Sequence, residues 1–323
     1  MYLTKTPGTG GRIKEKPEDF IVEEVPLYSP SGEGDHTYMY IEKINKTTLD
    51  LIAELKRVFG LKDAEVGVAG WKDKKAVTKQ WISIPASRFN EELLNNMSKD
   101  FHILEHQNHT NKLRTSHLKG NIFTIIIQDI KSDAYENAKQ TLEILQKRGM
   151  PNYYGEQRFG VDAQNIERGR QILLNPRKRI QPRLKRMMIS AYTSYLFNKY
   201  LDIRIEKGMM DRFLHGDVAK KHDTGGLFIV EDLAKEQERL ERFEISPTGP
   251  IFGKKMTIPK GASKELENHV IDNEIEFTQP GTRRFLRVPI NNVELKKVND
   301  NIKLRFFLPK GSFATILLGE LMK

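Results

Sequence analysis

Gly70-Trp71-Lys72-Asp73-Lys74-Lys75-Ala76-Val77-Thr78-Lys79-Gln80-Trp81 sets one carboxylate inside a cluster of lysines, behind a glycine. From Val77 the chain turns β-branched and alternating, which predicts a strand over residues 78–84 and puts Asp73 in the loop that feeds it. Neighbouring ammonium groups hold a carboxylate ionised, the state that a nucleophile or general base requires. The same lysines would seat the phosphates of a nucleotide. Chemistry alone leaves a second reading open, a turn aspartate among solvated lysines.

Outward from this stretch, four further segments read as strands, 19–25, 36–44, 121–130 and 302–308. Helices fall between them. The clearest spans 48–59, where Leu51, Ile52, Leu55, Val58 and Phe59 share a stripe and Gly60 ends it. A second starts behind Asp133 and stops at Gly149, a third runs over 184–207, and a charged one over 231–242. The order has no strict βαβ rhythm, so the pattern predicts an α+β fold with a mixed or antiparallel sheet. Gly8-Thr9-Gly10-Gly11 follows no strand and is no dinucleotide fingerprint.

At 323 residues the chain is long enough for two domains. The balance of 53 Lys+Arg against 43 Asp+Glu gives +10, which suits a polyanionic partner and equally a lysine-rich soluble surface. Six of the ten residues 177–186 are basic: Arg177, Lys178, Arg179, Arg183, Lys185 and Arg186. This run reads as a phosphate-facing edge, or as an exposed charged stretch. The absence of cysteine removes disulfides and thiolate metal sites and fits a reducing cytoplasm. The N-terminus lacks the apolar core of a secretory signal, and runs such as Ile125-Ile126-Ile127 are too short to span a bilayer.

Asn152-Tyr153-Tyr154-Gly155-Glu156-Gln157-Arg158-Phe159-Gly160 combines aromatic, amide, acid and guanidinium groups that can stack a base and bond its edges, or pack as a loop. Lys119-Gly120-Asn121-Ile122-Phe123 offers an amide and an aromatic at a strand entry. His102-Ile103-Leu104-Glu105-His106 fits a zinc-peptidase pattern, but only a helix would bring its histidines to one ion. Here the residues alternate, and two histidines four apart on a strand stand about 13 Å from each other. Residues 107–111 read as a turn. Gly249-Pro250-Ile251-Phe252-Gly253-Lys254 is one residue short of a phosphate loop, and no Gly-x-Ser-x-Gly elbow occurs.

Taken together, these segments resemble the TruD family of tRNA pseudouridine synthases nearly end to end. Lys16-Pro17-Glu18-Asp19-Phe20 looks like the family's opening element, and Gly32-Glu33-Gly34-Asp35-His36 like the loop after it. Residues 70–80 match the pattern G-x-K-D-x-x-A-x-T-x-Q, and 152–160 match N-Y-F-G-x-Q-R-F-G with Tyr154 in place of the usual Phe. Pro247-Thr248-Gly249-Pro250, Gly281-Thr282-Arg283-Arg284 and Leu308-Pro309-Lys310-Gly311-Ser312-Phe313-Ala314-Thr315 follow in the family's order, as does the 190–198 segment.

The resemblance implies a catalytic domain with a mixed, mostly antiparallel sheet, made of residues 1–152 and 283–323. An inserted α/β domain over 153–282 would carry the basic run. It implies Asp73 as catalytic carboxylate, with Asn121, Phe123, Tyr154, Lys14 and Lys72 around the substrate. Arg177, Lys178, Arg179, Arg183 and Lys185 would meet the RNA backbone. The reaction is an isomerisation, so no cofactor and no metal is expected, nor any membrane or obligate protein partner. One such aspartate per chain makes a monomer sufficient. The partner implied is tRNA, by default at the uridine of position 13. The competing reading is a non-catalytic RNA-binding protein or RNA chaperone with the same basic cleft.

Overall fold

The computed structural model describes residues 1–177 and 179–323, so Lys178 lies outside the described residues. The N-terminal half supplies β1 (Phe20–Pro26), β2 (His36–Ile44), α1 (Thr48–Phe59), β3 (Gly67–Val68), β4 (Val77–Pro85), β5 (Phe101–His109), β6 (Leu118–Ile127) and α2 (Ala134–Arg148). The middle runs β7 (Met150–Pro151), α3 (Gln164–Leu174), α4 (Pro182–Glu206), β8 (Val218–Lys221), β9 (Leu227–Ile229), α5 (Leu233–Glu241), β10 (Ile245–Ile251), α6 (Gly261–Asn268) and β11 (Thr282–Phe285). The chain closes with β12 (Arg287–Val288), β13 (Asn291–Val298), β14 (Asn301–Pro309) and α7 (Ala314–Met322).

An eight-stranded sheet runs in the order β13-β14-β6-β1-β4-β2-β5, with β3 paired to β4. Only β1 and β4 are parallel, with Ile21 opposite Val77; every other pair in this sheet is antiparallel. The fold is therefore α+β around a mixed, mostly antiparallel sheet, as the sequence pattern predicts. The parallel pair matters for the site, because a parallel neighbour is reached by a crossover rather than a hairpin. The loop that ends that crossover carries Asp73.

Local chemistry explains why α1 starts and stops where it does. Thr47 and Asp50 form a reciprocal capping box, and Gly60 closes the helix at φ 63°, where a side chain would strain the backbone. Leu51, Leu55 and Phe59 recur on one face and pack with Met39, Ile41, Ile82 and Ile84 of β2 and β4. Truncating one of these, Leu55→Ala for instance, removes about 2–5 kcal/mol of burial and packing.

A second, four-stranded sheet has the order β11-β10-β8-β9, and the chain passes to it and back through the paired strands β7 and β12. The long helix α4 is packed so closely by α3 that a Cβ at Gly169 would lie 2.2 Å from the Met188 carbonyl oxygen. The charged helix expected over 231–242 is α5.

Two expectations need correction. Residues 107–111 are not wholly a turn, because β5 continues to His109 with Asn108 opposite Thr37 of β2. Cross-strand pairing there outweighs the turn preference of Asn and His. Strand β6 begins at Leu118 and stops at Ile127, earlier at both ends than the alternation suggests. Its start is fixed by pairing with Pro26 of β1, and beyond its end Gln128 bridges to Arg12 instead. No helix among the described residues is long and apolar enough to cross a membrane.

Candidate active site

The loop between β3 and β4 is held by side chains from three other elements. The backbone N–H of Lys72 donates to Thr48 Oγ1 at 2.9 Å, and that hydroxyl donates to Gln80 Oε1 at 3.0 Å. The Gln80 amide nitrogen donates to the Gly70 carbonyl at 3.5 Å. Lys43, fully buried on β2, points its ammonium at the carbonyl oxygens of Lys46 and Asp73, the latter at 3.4 Å. Thr48, Gln80 and Lys43 are all buried, so this platform is fixed by the fold rather than by solvent.

On the platform the Asp73 side chain stays 55% exposed, with the Lys14 ammonium 3.5 Å from its carboxylate. Lys14 adopts a left-handed backbone at φ 61° and places the same ammonium 4.1 Å over the Phe20 ring. The edge of Phe20 meets Phe123, centroids 6.3 Å apart, and Phe123 stacks on Phe306 at 5.3 Å. Lys14, Phe20 and Phe123 thus form one contiguous wall leading from Asp73 into the core.

Lys72 does not point at Asp73. Its ammonium turns inward, donating to Glu24 Oε2 and to Asn121 Oδ1, each at 2.8 Å, and only 5% of the side chain is exposed. Of the two lysines expected around the substrate it is Lys14 that lies against Asp73, while the fully buried Glu24 draws Lys72 in. The second Glu24 oxygen accepts from the Trp81 N–H at 3.3 Å. Because Asn121 spends its carbonyl oxygen on Lys72, its NH₂ is oriented to donate elsewhere. Burial, reinforced by nearby Lys72, pushes the Lys43 ammonium down to about 8.

Glu24, Lys43, Thr48 and Gln80 were not singled out from sequence. Their partners lie 10 to 48 residues away, and apart from Gln80, the last position of the 70–80 pattern, no local pattern marks them. Trp71, beside Asp73, is 59% exposed and so presents a large aromatic face where core packing does not need it.

Tyr154 belongs to a neighbouring cluster. The Arg284 guanidinium lies 4.0 Å over its ring and that of Arg158 at 5.1 Å. Arg284 also donates to the Asn152 carbonyl, the Asn152 side chain and the Gly311 carbonyl, at 3.0, 2.7 and 2.8 Å. It thereby ties the 152–154 segment to the end of β14, where Lys310 N–H donates to the Lys119 carbonyl at 2.9 Å. Burial pushes the Arg284 guanidinium below its ordinary range. The two clusters are linked through residues 309–313, and the guanidinium groups of Arg284 and Arg158 lie against the Tyr154 ring.

Arg177, Arg179 and Arg183 are exposed around the start of α4, and among the described residues none of them makes an ion pair. The Lys185 ammonium folds back onto the Pro176 carbonyl at 3.1 Å, bracing the turn. The segment 102–106 is strand, which separates its histidines, and among the described residues no three His, Asp or Glu side chains converge as a metal site would need.

The single parallel pair of the mixed sheet thus leads to an exposed aspartate over the buried side chains of Lys43 and Lys72, and exposed arginines flank the start of α4. The family model described as tRNA pseudouridine synthase D (TruD) matches residues 1–175 and 170–321. The tRNA pseudouridine synthase D of a Thermus thermophilus strain is 45% identical over 328 residues, covering 100% of this chain and 92% of that protein. The protein of the same description from an Anaeromyxobacter species is 40% identical, covering 100% and 95%. A crystal structure of a TruD protein from Methanosarcina mazei shares the fold at TM-score 0.79 and 24% identity, over 100% of this chain and 95% of that one. The chain belongs to the TruD family of tRNA pseudouridine synthases, which are isomerases.

Proposed function

We propose that the protein converts a uridine of tRNA to pseudouridine, with Asp73 as the catalytic carboxylate and, by family resemblance, position 13 as the target. The observation that carries this reading is the exposed Asp73 carboxylate, held by a buried platform and with Lys14 as its counter-ion at 3.5 Å.

The reaction breaks the bond from ribose C1′ to uracil N1, turns the base and joins C1′ to C5. The C5 proton passes to solvent and N1, freed from C1′, takes one up, so atoms and electrons balance over the isomerisation. The carboxylate acts at C1′, at uracil C6 or on the C2′ proton, and each route needs it ionised within about 3–3.5 Å of the reacting atom. Extruding the uridine costs roughly a few kcal/mol, and stacking offsets part of it. Trp71 offers an exposed face for that purpose, Phe123 an edge at the floor, and the oriented Asn121 NH₂ a donor to a uracil or ribose oxygen. Arg177, Arg179 and Arg183, with Lys185 bracing their turn, would meet backbone phosphates. On this reading residues 153–282 form an insertion that supplies the second wall of an RNA cleft.

The test uses tRNA transcripts tritiated at uracil C5, with chelator present. Tritium release to water, with the product mapped to one nucleotide, is expected. Tight transcript binding without release from tRNA or total cellular RNA would favour an RNA-binding protein instead.

A further inference from the structure

Beyond the end of β1, a cavity of about 500 Å³ opens between residues 28–29 and the 109–117 segment. That size suits a single nucleotide, given that small-ligand sites run from roughly 300 to 1,000 Å³. Tyr28 and His109 stack with centroids 5.0 Å apart, and Tyr38 supports His109 edge-on at 4.8 Å. Tyr28 Oη and His117 Nδ1 are hydrogen-bonded at 2.8 Å, which fixes the second imidazole against the same ring. The Ser31 N–H donates to His109 Nδ1 at 3.2 Å and so anchors the ring. Lys112, whose ammonium donates one hydrogen to the Ala64 carbonyl, and Arg114 complete the lining, and no carboxylate is part of it. A cationic rim over a rigid aromatic wall is the combination that binds a phosphate and a base together.

The cavity is mechanically joined to the loop of Asp73. The Ser116 N–H donates to the Ala69 carbonyl at 2.9 Å, and Lys310 holds the Ser116 carbonyl at 3.1 Å. Ala69 precedes Asp73 by four residues, so the two lie within about 14 Å along the chain. The Ser116–Ala69 bond couples the 109–117 segment of the cavity to that loop.

We propose that this cavity is a nucleotide subsite. It takes one unstacked nucleotide of the same RNA whose uridine is at Asp73, with Lys112 and Arg114 on the phosphate and the Tyr28–His109 wall on the base. The inference rests on the proposed function for its choice of RNA. It adds a recognition point outside the reacting residues: the enzyme reads the conformation of the strand as well as the uridine.

Equilibrium binding of a fluorescent tRNA transcript, measured over a range of salt, tests it alongside turnover. Lys112→Ala/Arg114→Ala is expected to raise Kd about tenfold and to lower the salt slope by about 1.4–1.8, as loss of two phosphate contacts predicts. Tyr28→Leu is expected to raise Kd a few-fold with the slope unchanged, because stacking is uncharged. Both variants should keep the wild-type single-turnover rate at saturating RNA within twofold. Ultraviolet cross-linking should attach a nucleotide to the peptide containing residue 28 or residues 109–117. Wild-type Kd and slope in both variants would overturn the subsite. So would calorimetric binding of inorganic phosphate that the double variant loses while transcript affinity stays unchanged, since the cavity would then serve a free anion. If wild-type protein binds transcript through this cavity yet releases no tritium, the reaction assignment fails and the subsite stands.

Discussion

The platform beneath Asp73 and the interior of the second sheet both bury charge, and they treat it oppositely. In the second region the buried Arg204 and Arg283 each meet a carboxylate. Arg204 is fully buried and grips both oxygens of Asp217, at 2.9 and 3.0 Å, while it also donates to Tyr200 and to the carbonyls of Met209 and Arg212. Asp217 accepts further bonds from Ser263 and the Leu214 N–H. Arg283 does the same with Glu267 and Thr248. Burial alone would push the Arg204 guanidinium down, yet Asp217 and Tyr200 carry it above its ordinary value. Under Asp73, by contrast, Lys43 donates only to the carbonyl oxygens of Lys46 and Asp73, while Lys72 beside it is paired with Glu24. The buried arginines Arg204 and Arg283 of the second region each pair with a carboxylate, whereas Lys43 reaches the Asp73 loop through a backbone carbonyl and pairs with none.

The largest effect should come from breaking a completed network. Asp217→Ala strands Arg204 in the interior and is expected to cost about 3–5 kcal/mol, read by denaturant unfolding. If soluble protein survives, its activity per folded molecule should match wild type. Loss of activity without loss of stability would erase the contrast. Next, Glu24→Ala removes the partner of a buried Lys72 and should cost about 3 kcal/mol and most activity together. Glu24→Gln keeps an acceptor for Lys72 and should recover most of both, so equal damage from the two would contradict the role of that contact.

Lys43→Met sharpens the comparison. It removes a desolvated ammonium and should raise stability at neutral pH by on the order of 1 kcal/mol, while loosening Asp73 lowers kcat by about 10- to 100-fold. The folded pKa, about 8, lies below the ordinary lysine value of 10.5, so the unfolded chain binds more protons between those limits. Wild-type stability therefore rises with pH across that window, and the gap to Lys43→Met should narrow in thermal melts between pH 7 and 10. A constant gap would mean that Lys43 is not desolvated.

The smallest effect belongs to His222, stacked on Phe285 at 4.1 Å in the second sheet and pushed down to about 4, by burial first and then by Arg287 and Lys220. Its folded pKa is depressed, so wild type loses stability as pH falls from about 6.5 to 4, where only the unfolded chain takes up the proton. His222→Phe should melt higher than wild type in that window and like it above pH 7.

Much of this architecture is legible in the chain itself. Period-two runs mark β2 and β4, and the Thr47, Asp50 and Gly60 signals bound α1, because those features are local. The Asp73 loop is legible for the same reason. The platform is not, because a buried lysine and an exposed one are spelled alike, and only the register of β1, β4 and β6 turns Lys72 toward Glu24 and Asn121. Lys72 shows how a charge run can mislead: one of its members is structural. Tyr154 shows the converse, an aromatic in a promising motif whose face is already taken by Arg284.

The most direct test of the central claim separates chemistry from binding at Asp73. Single-turnover tritium release and transcript Kd should be measured together for wild type and Asp73→Asn. Release is expected to fall by on the order of 10³-fold or more while Kd stays within about threefold, because phosphate contacts supply most of the affinity. Retained release, or a parallel loss of release and affinity, would show that Asp73 is not the catalytic carboxylate.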